Sequence, residues 1–127
     1  MVQEFKVQGF DEFLSKVTEL DKQNKVILCM FCGDKDASGN SWCPDCVVKE
    51  PVVRKALGDV PNAENVAFVY CSVGGREYWK DRSNQFRTDK NLKLTGVPTL
   101  MIWGRPNEKL VEDQIKADVI SILFDQD

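Results

Sequence analysis

Two uninterrupted apolar segments constrain the fold of this chain more than any other feature. Residues 26–31 and 66–73 each have the length of a β-strand and lack alternating polar positions. A strand that faces solvent on one side alternates apolar and polar residues, so continuous runs indicate strands buried on both faces. The sequence therefore predicts a central sheet with helices on both of its faces.

Further strand and helix patterns surround these two runs. Listed along the chain, they are an edge strand around Phe5 and Val7, a helix from Gly9 to about Asp21, a helix from Cys43 to about Leu57 with a kink at Pro51 and a cap at Gly58, a short helix within residues 76–89, strands at residues 99–103 and 109–111 joined by a turn, and a helix around Ile115 to Leu123. The order is β-α-β-α-β-(α)-β-β-α. It predicts an α/β fold with a mixed sheet, formed by residues 1–127 as a single domain.

Charge and hydropathy exclude several classes of partner. The net charge is -3 and no run of Lys and Arg is present, so we expect no nucleic-acid partner. No segment approaches the roughly 20 apolar residues of a membrane span, and the start of the chain lacks the basic region of a signal peptide. We therefore expect a cytosolic monomer without a membrane partner.

The absence of histidine and the presence of five cysteines limit the chemistry. Cysteine–histidine catalysis and mixed cysteine–histidine zinc sites are excluded, because the commonest general base and metal ligand is missing. An odd number of cysteines also argues against a closed disulfide framework. In a reducing compartment such thiols point to packing, metal ligation or redox chemistry.

A candidate redox centre lies in the segment Trp42-Cys43-Pro44-Asp45-Cys46. Two residues between cysteines at a helix start allow one thiol to attack a disulfide and the other to resolve the mixed disulfide. We assign Cys43 as the nucleophile, since the helix N-terminus would lower its pKa from about 8.5 towards about 7. Cys46 is then the resolving thiol, Pro44 stiffens the first turn, and Trp42 shapes the site.

Two carboxylates are candidates for moving the proton of Cys46. Asp45 is nearest in sequence, and its charge should also raise the pKa of Cys43 modestly. Glu50 lies further along the same helix and is interpreted as a solvated residue.

Zinc binding is the main alternative, because Cys29-x-x-Cys32 and Cys43-x-x-Cys46 together form a four-thiolate pattern. Residues three apart on a strand point to opposite faces, which argues against convergence, and we expect no metal. Cys29 is interpreted as a buried apolar residue, and Cys32 and Cys71 as strand-end thiols without chemistry.

Four motifs along the chain can be compared with known families. They are Ser41-Trp42-Cys43-Pro44-Asp45-Cys46, Glu50-Pro51-Val52-Val53-Arg54, Tyr78-Trp79-Lys80-Asp81 and Gly96-Val97-Pro98-Thr99. Together they resemble the thioredoxin domain-containing protein 17 family of the thioredoxin superfamily. The resemblance implies a thioredoxin fold in which Pro98 is cis and faces the active site. It also implies a disulfide reductase without a bound cofactor, recharged by thioredoxin reductase at the expense of NADPH, that reduces small disulfides such as cystine and supports peroxide removal.

The resemblance leaves two questions open, namely which group accepts the proton of Cys46 and whether the chain is an enzyme. Residues 27–31 contain no acid, whereas ordinary thioredoxins carry a buried Asp on this strand. A thioredoxin-like scaffold can also serve as a redox-inactive adaptor, because fold does not fix function.

Two segments, residues 33–41 and 76–91, are longer than a minimal thioredoxin requires. Both segments are expected to narrow access in favour of small or extended disulfides.

Overall fold

A computed structural model describes residues 2–23 and 25–124, and within them five strands form one sheet. The strands are β1 (Gln3–Gln8), β2 (Val26–Cys32), β3 (Val66–Ser72), β4 (Thr99–Ile102) and β5 (Leu110–Val111). The helices are α1 (Gly9–Asp21), α2 (Pro44–Leu57), α3 (Arg76–Lys80), α4 (Gln85–Thr88) and α5 (Ala117–Leu123). None of the helices in the described residues is long and apolar enough to cross a membrane.

The two apolar runs form β2 and β3, which are inner strands of the sheet, as predicted. The strand order is β1-β3-β2-β4-β5, in which β3 pairs in parallel with both β1 and β2. Strand β4 runs antiparallel to β2 and to β5, so the sheet is mixed. Every residue of β2 after Val26 is buried, which explains its unbroken apolar sequence.

Alternation along β2 divides its side chains between two covered faces. Phe31 packs against Phe13 of α1 with ring centroids 4.9 Å apart, so α1 covers one face. The guanidinium of Arg54 on α2 lies over the Phe68 and Tyr70 rings of the opposite face, at 5.7 and 5.9 Å from their centroids. The α/β thioredoxin fold expected from the sequence is confirmed.

Helix α2 begins and ends where the sequence predicts. It runs through Pro51 to Leu57, and the N–H of the capping residue Gly58 donates to the carbonyls of Lys55 and Ala56. The C-terminal hairpin is shorter than predicted, because a 3-10 turn at Pro106–Glu108 occupies part of the connection and leaves two residues for β5.

The single short helix predicted within residues 76–89 is replaced by two helices, α3 and α4. The side chain of Asn84 explains the break. Its Nδ2 donates to the carbonyls of Tyr78 (3.3 Å), Trp79 (3.1 Å) and Asp81 (2.8 Å). Its Oδ1 accepts the N–H of Arg87 at 3.2 Å and so caps α4. One buried amide therefore ends one helix and starts the next.

We expect Asn84→Ala to lower the free energy of unfolding by about 2 to 4 kcal/mol, because it removes a helix cap and the amide that donates to three backbone carbonyls. Chemical denaturation measures the loss. The matched variant Asn84→Asp keeps the capping oxygen but loses the donors, and we expect it to fall between wild type and Asn84→Ala. Equal stabilities for wild type and Asn84→Ala would contradict this role of the side chain.

Candidate active site

The loop between β2 and α2 is attached to the end of β3, and this attachment places the cysteine motif. The N–H of Asp34 donates to the carbonyl of Gly74 at 3.1 Å, and the N–H of Gly74 donates back to Asp34 Oδ1 at 2.9 Å. The N–H of Trp42 then donates to the Asp34 carbonyl at 3.2 Å. The start of α2 is thereby held at the carboxyl ends of the two central parallel strands, where α/β folds place their sites.

Cys43 is the N-cap residue of α2, which is the position the sequence predicts for the nucleophile. The backbone N–H of Cys46 donates to Cys43 Sγ at 3.3 Å, as expected for a group at a free helix N-terminus. The Cys43 thiol in turn donates to the carbonyl of Val97 at 3.5 Å. Val97 precedes Pro98 through a cis peptide bond, so the Pro98 turn lies opposite the thiol. Pro44 occupies the first turn of the helix and is exposed.

The indole of Trp42 forms one side of the candidate site, next to Cys43. Its Nε1 donates to the carbonyl of Gly74 at 2.9 Å, and Arg76 donates from Nη2 to the Trp42 carbonyl at 3.1 Å. The indole lies so close to Gly33 that a Cβ at that position would approach Trp42 Cε2 to 2.4 Å. Gly33 is therefore required for the indole to lie against the loop.

Cys32 joins the motif cysteines, which the sequence interpretation did not foresee. Its buried thiol lies beside the thiol of Cys46, which also lies next to the Gly33 N–H and to Cys43. The neighbouring Cys32 thiol raises the pKa of Cys46, and burial adds to the increase. Cys32 is a strand-end thiol as predicted, but its position beside Cys46 was not foreseen. Its position at the carboxyl end of β2, directly before the active-site loop, was the signal that could have revealed it.

The expected lowering of the Cys43 pKa is wrong, because burial raises it to about 12. Cys43 is only 6% exposed, and burial raises the pKa of its thiol. The Cys46 thiol and the charge of Asp45 act in the same direction, whereas the N–H of Cys46 lowers the pKa. The sequence argument considered the helix terminus but not this burial. The pKa of Cys46 is raised as well, with the neighbouring Cys32 thiol as the largest cause.

The two candidate carboxylates have different surroundings. Asp45 is exposed, and its charge contributes to the raised pKa of Cys43, as expected. Glu50 is not solvated as predicted, because Lys35 and Arg54 each bind its carboxylate at 2.9 Å. Burial disfavours the charge of Glu50, but these two cations outweigh it and lower the pKa of the carboxyl. Such a carboxylate is a weak proton acceptor.

The four thiols of the zinc alternative are divided between the two faces of the sheet. Cys29 lies two residues before Phe31 on the face that α1 covers, whereas Cys32 lies with Cys46 on the α2 face. Within residues 2–23 and 25–124, no group of three or more His, Cys, Asp or Glu side chains is arranged to hold a metal ion. Cys71 also lies away from the motif, with Sγ 4.0 Å from the carbonyl of Gly9.

Replacing Asp45 with Asn should shift the pH profile of Cys43 alkylation downward. The charge of Asp45 raises the Cys43 pKa, so its removal lowers that pKa by a fraction of a unit to about one unit. At neutral pH the variant should then react faster with iodoacetamide. Asp59→Asn, beyond the far end of the same helix, is the control for net charge. A profile for Asp45→Asn that coincides with that of Asp59→Asn would mean that water screens the Asp45 charge.

The fold and the dithiol at the start of α2, facing a cis-proline turn, define a thioredoxin-like protein. The chain belongs to the family of thioredoxin domain-containing protein 17-like thioredoxin domains, whose model matches residues 6–126. It is 48% identical over 126 residues to human thioredoxin domain-containing protein 17, covering 98% of this chain and 97% of the relative. The protein of that name from Epinephelus coioides is 48% identical over 125 residues, covering 98% and 97% respectively. Thioredoxin-like protein Clot from Arabidopsis thaliana is 42% identical over 88 residues, or 68% of this chain and 64% of the relative.

Proposed function

We propose that this protein is a cytosolic disulfide reductase in which Cys43 attacks the substrate disulfide and Cys46 resolves the mixed disulfide. The observation that carries the proposal is the placement of Cys43 Sγ between the N-terminus of α2 and the carbonyl of Val97. A substrate sulfur that approaches this thiol meets backbone groups of the Pro98 turn. Membership of a thioredoxin family supports thiol redox chemistry at this position.

The proposed cycle consists of three thiol–disulfide exchanges. The Cys43 thiolate attacks one sulfur of the substrate, and the other sulfur leaves as a thiolate that takes up a proton. Cys46 then loses its proton and attacks Cys43, which forms the Cys43–Cys46 disulfide and releases the second substrate thiol. Thioredoxin reductase restores both thiols with electrons from NADPH, which the chain itself does not bind.

We further propose that the substrates are small or extended disulfides such as cystine, and that the same electrons support peroxide removal. The preference for small or extended disulfides is supported by the residues that surround the Cys43 thiol. Trp42 is fixed to Gly74, and the guanidinium of Arg76 lies 5.4 Å from the centroid of the indole. A substrate sulfur must approach Cys43 nearly in line, so fixed walls exclude bulky folded proteins more than a dipeptide-sized molecule.

A coupled assay with thioredoxin reductase and NADPH tests these proposals. We expect NADPH oxidation with cystine, and a lower kcat/KM with insulin. Deleting residues 37–39 at the tip of the loop leaves the β-bridge between Lys35 and Ser41 in place. This deletion should reduce the difference in kcat/KM between cystine and insulin. A chain that oxidises no NADPH with either disulfide would instead be an adaptor. One zinc ion per chain, lost together with the fold on chelation, would favour the metal alternative.

A further inference from the structure

We propose that Cys32 is a third redox-active thiol that forms an alternative disulfide with Cys46 and leaves Cys43 reduced. This inference rests on the proposed exchange chemistry of Cys43 and Cys46. It concerns a cysteine outside the Cys-x-x-Cys motif.

The position of Cys32 is set by the sheet and by the active-site loop together. Cys32 is the last residue of β2, and alternation along the strand places its side chain on the face that α2 covers. The loop that follows is bonded to Gly74 and carries Trp42 against Gly33. These contacts hold the end of the strand beside the first turn of α2, where Cys46 lies.

The thiols of Cys32 and Cys46 are neighbours on the buried face that α2 covers. Ser41 joins their two segments, since its Oγ donates to the Gly33 carbonyl at 2.8 Å and accepts the N–H of Cys43 at 3.1 Å. A disulfide requires two sulfurs that can reach bonding distance without large backbone movement. Cys46 also contacts Cys43, so it is the shared neighbour of both thiols. Cys46 can therefore pair with either of them.

The surroundings of Cys32 favour an internal partner. Its side chain is 0% exposed, so a dissolved disulfide cannot reach it directly. The buried hydroxyl of Tyr70 has no hydrogen-bond partner within the described part of the chain, and the Cys32 thiol lies near it. The thiol within reach of Cys32 is that of Cys46.

The exchange is balanced without a further oxidant. In the oxidised chain, the Cys32 thiolate attacks Sγ of Cys46, so the Cys32–Cys46 bond forms as the Cys43–Cys46 bond breaks. The electron pair leaves on the Cys43 sulfur, which takes up the proton that Cys32 released. The oxidised chain then keeps its disulfide in the core and presents a free Cys43 thiol, which can attack a second substrate.

The variant Cys43→Ser isolates the proposed pair. It is treated with the thiol oxidant diamide, which accepts the two hydrogens, and is then quenched in acid, denatured and alkylated. We expect the loss of two alkylatable thiols and a cross-linked peptide that joins Cys32 to Cys46. The double variant Cys43→Ser/Cys32→Ser should keep Cys46 alkylatable, whereas the matched control Cys43→Ser/Cys29→Ala should still form the bond. A Cys43→Ser chain that forms the Cys32–Cys46 bond neither with diamide nor with hydrogen peroxide, a smaller two-electron oxidant that reaches buried thiols, would overturn the proposal.

Wild-type protein provides a second measurement that does not depend on the folding of a variant. After oxidation by diamide, peptide mapping should find both the Cys43–Cys46 and the Cys32–Cys46 disulfides, and a fraction of Cys43 should still react with a maleimide. In Cys32→Ser that reactive fraction should disappear. Wild type that shows the Cys43–Cys46 disulfide alone would overturn the inference. Because diamide oxidation needs no reductase, this failure is distinct from a failure to oxidise NADPH in the coupled assay.

Discussion

Turnover of cystine should fall by at least ~10³-fold in Cys43→Ser, because the variant lacks the sulfur that forms the mixed disulfide. A serine hydroxyl at the same N-cap position is not ionised at neutral pH and cannot exchange with a disulfide. It can still accept the N–H of Cys46, as Ser is a favoured N-cap residue. The fold is therefore expected to persist while the chemistry is lost. The coupled assay measures the loss, and circular dichroism checks the fold.

Cys29→Ala is the matched control for this experiment. It also removes a buried thiol, but from the face that α1 covers, away from the Cys-x-x-Cys motif. Its turnover should remain close to that of wild type. If Cys43→Ser retained turnover while Cys46→Ser lost it, the roles of the two cysteines would have to be exchanged.

Much of the fold could be predicted because it depends on patterns local in sequence. The apolar runs of β2 and β3 are continuous since both of their faces are covered, and Gly58 follows the last turn of α2. The break between α3 and α4 could not be predicted in the same way. It depends on one Asn84 amide that bonds three carbonyls at once, an arrangement which exists only after the chain has folded.

The candidate site was predictable in its chemistry but not in its surroundings. The spacing of Cys43 and Cys46 and the proline at the first helical position locate the dithiol at the start of α2. Two other features depend on packing between distant segments. The contact of Cys32 with Cys46 joins a strand end to a helix start, and the pairing of Glu50 with Lys35 joins the helix to the loop. Distance along the sequence carries no information about either contact.

Cys46→Ser should accumulate a mixed disulfide on Cys43 when it is mixed with cystine. Attack by Cys43 needs only its own thiolate, so the first exchange proceeds, but the second exchange lacks the sulfur that would displace the substrate half. Mass spectrometry should find about one half-cystine per chain, attached to the peptide that contains Cys43. Steady turnover in the coupled assay should be lost, although the adduct forms within a single turnover.

The lifetime of this mixed disulfide also shows whether the Cys32 thiol can reach Cys43. Cys32 is fully buried beside Cys46, so we expect serine at position 46 to leave Cys32 without a path to the adduct. We therefore expect equal adduct lifetimes in Cys46→Ser and in Cys46→Ser/Cys32→Ser. A shorter lifetime in the single variant, together with a Cys32–Cys43 disulfide, would show that Cys32 can resolve the adduct directly. Rapid loss of the adduct from both variants would contradict the assignment of Cys46 as the resolving thiol, because the substrate would then leave Cys43 without it.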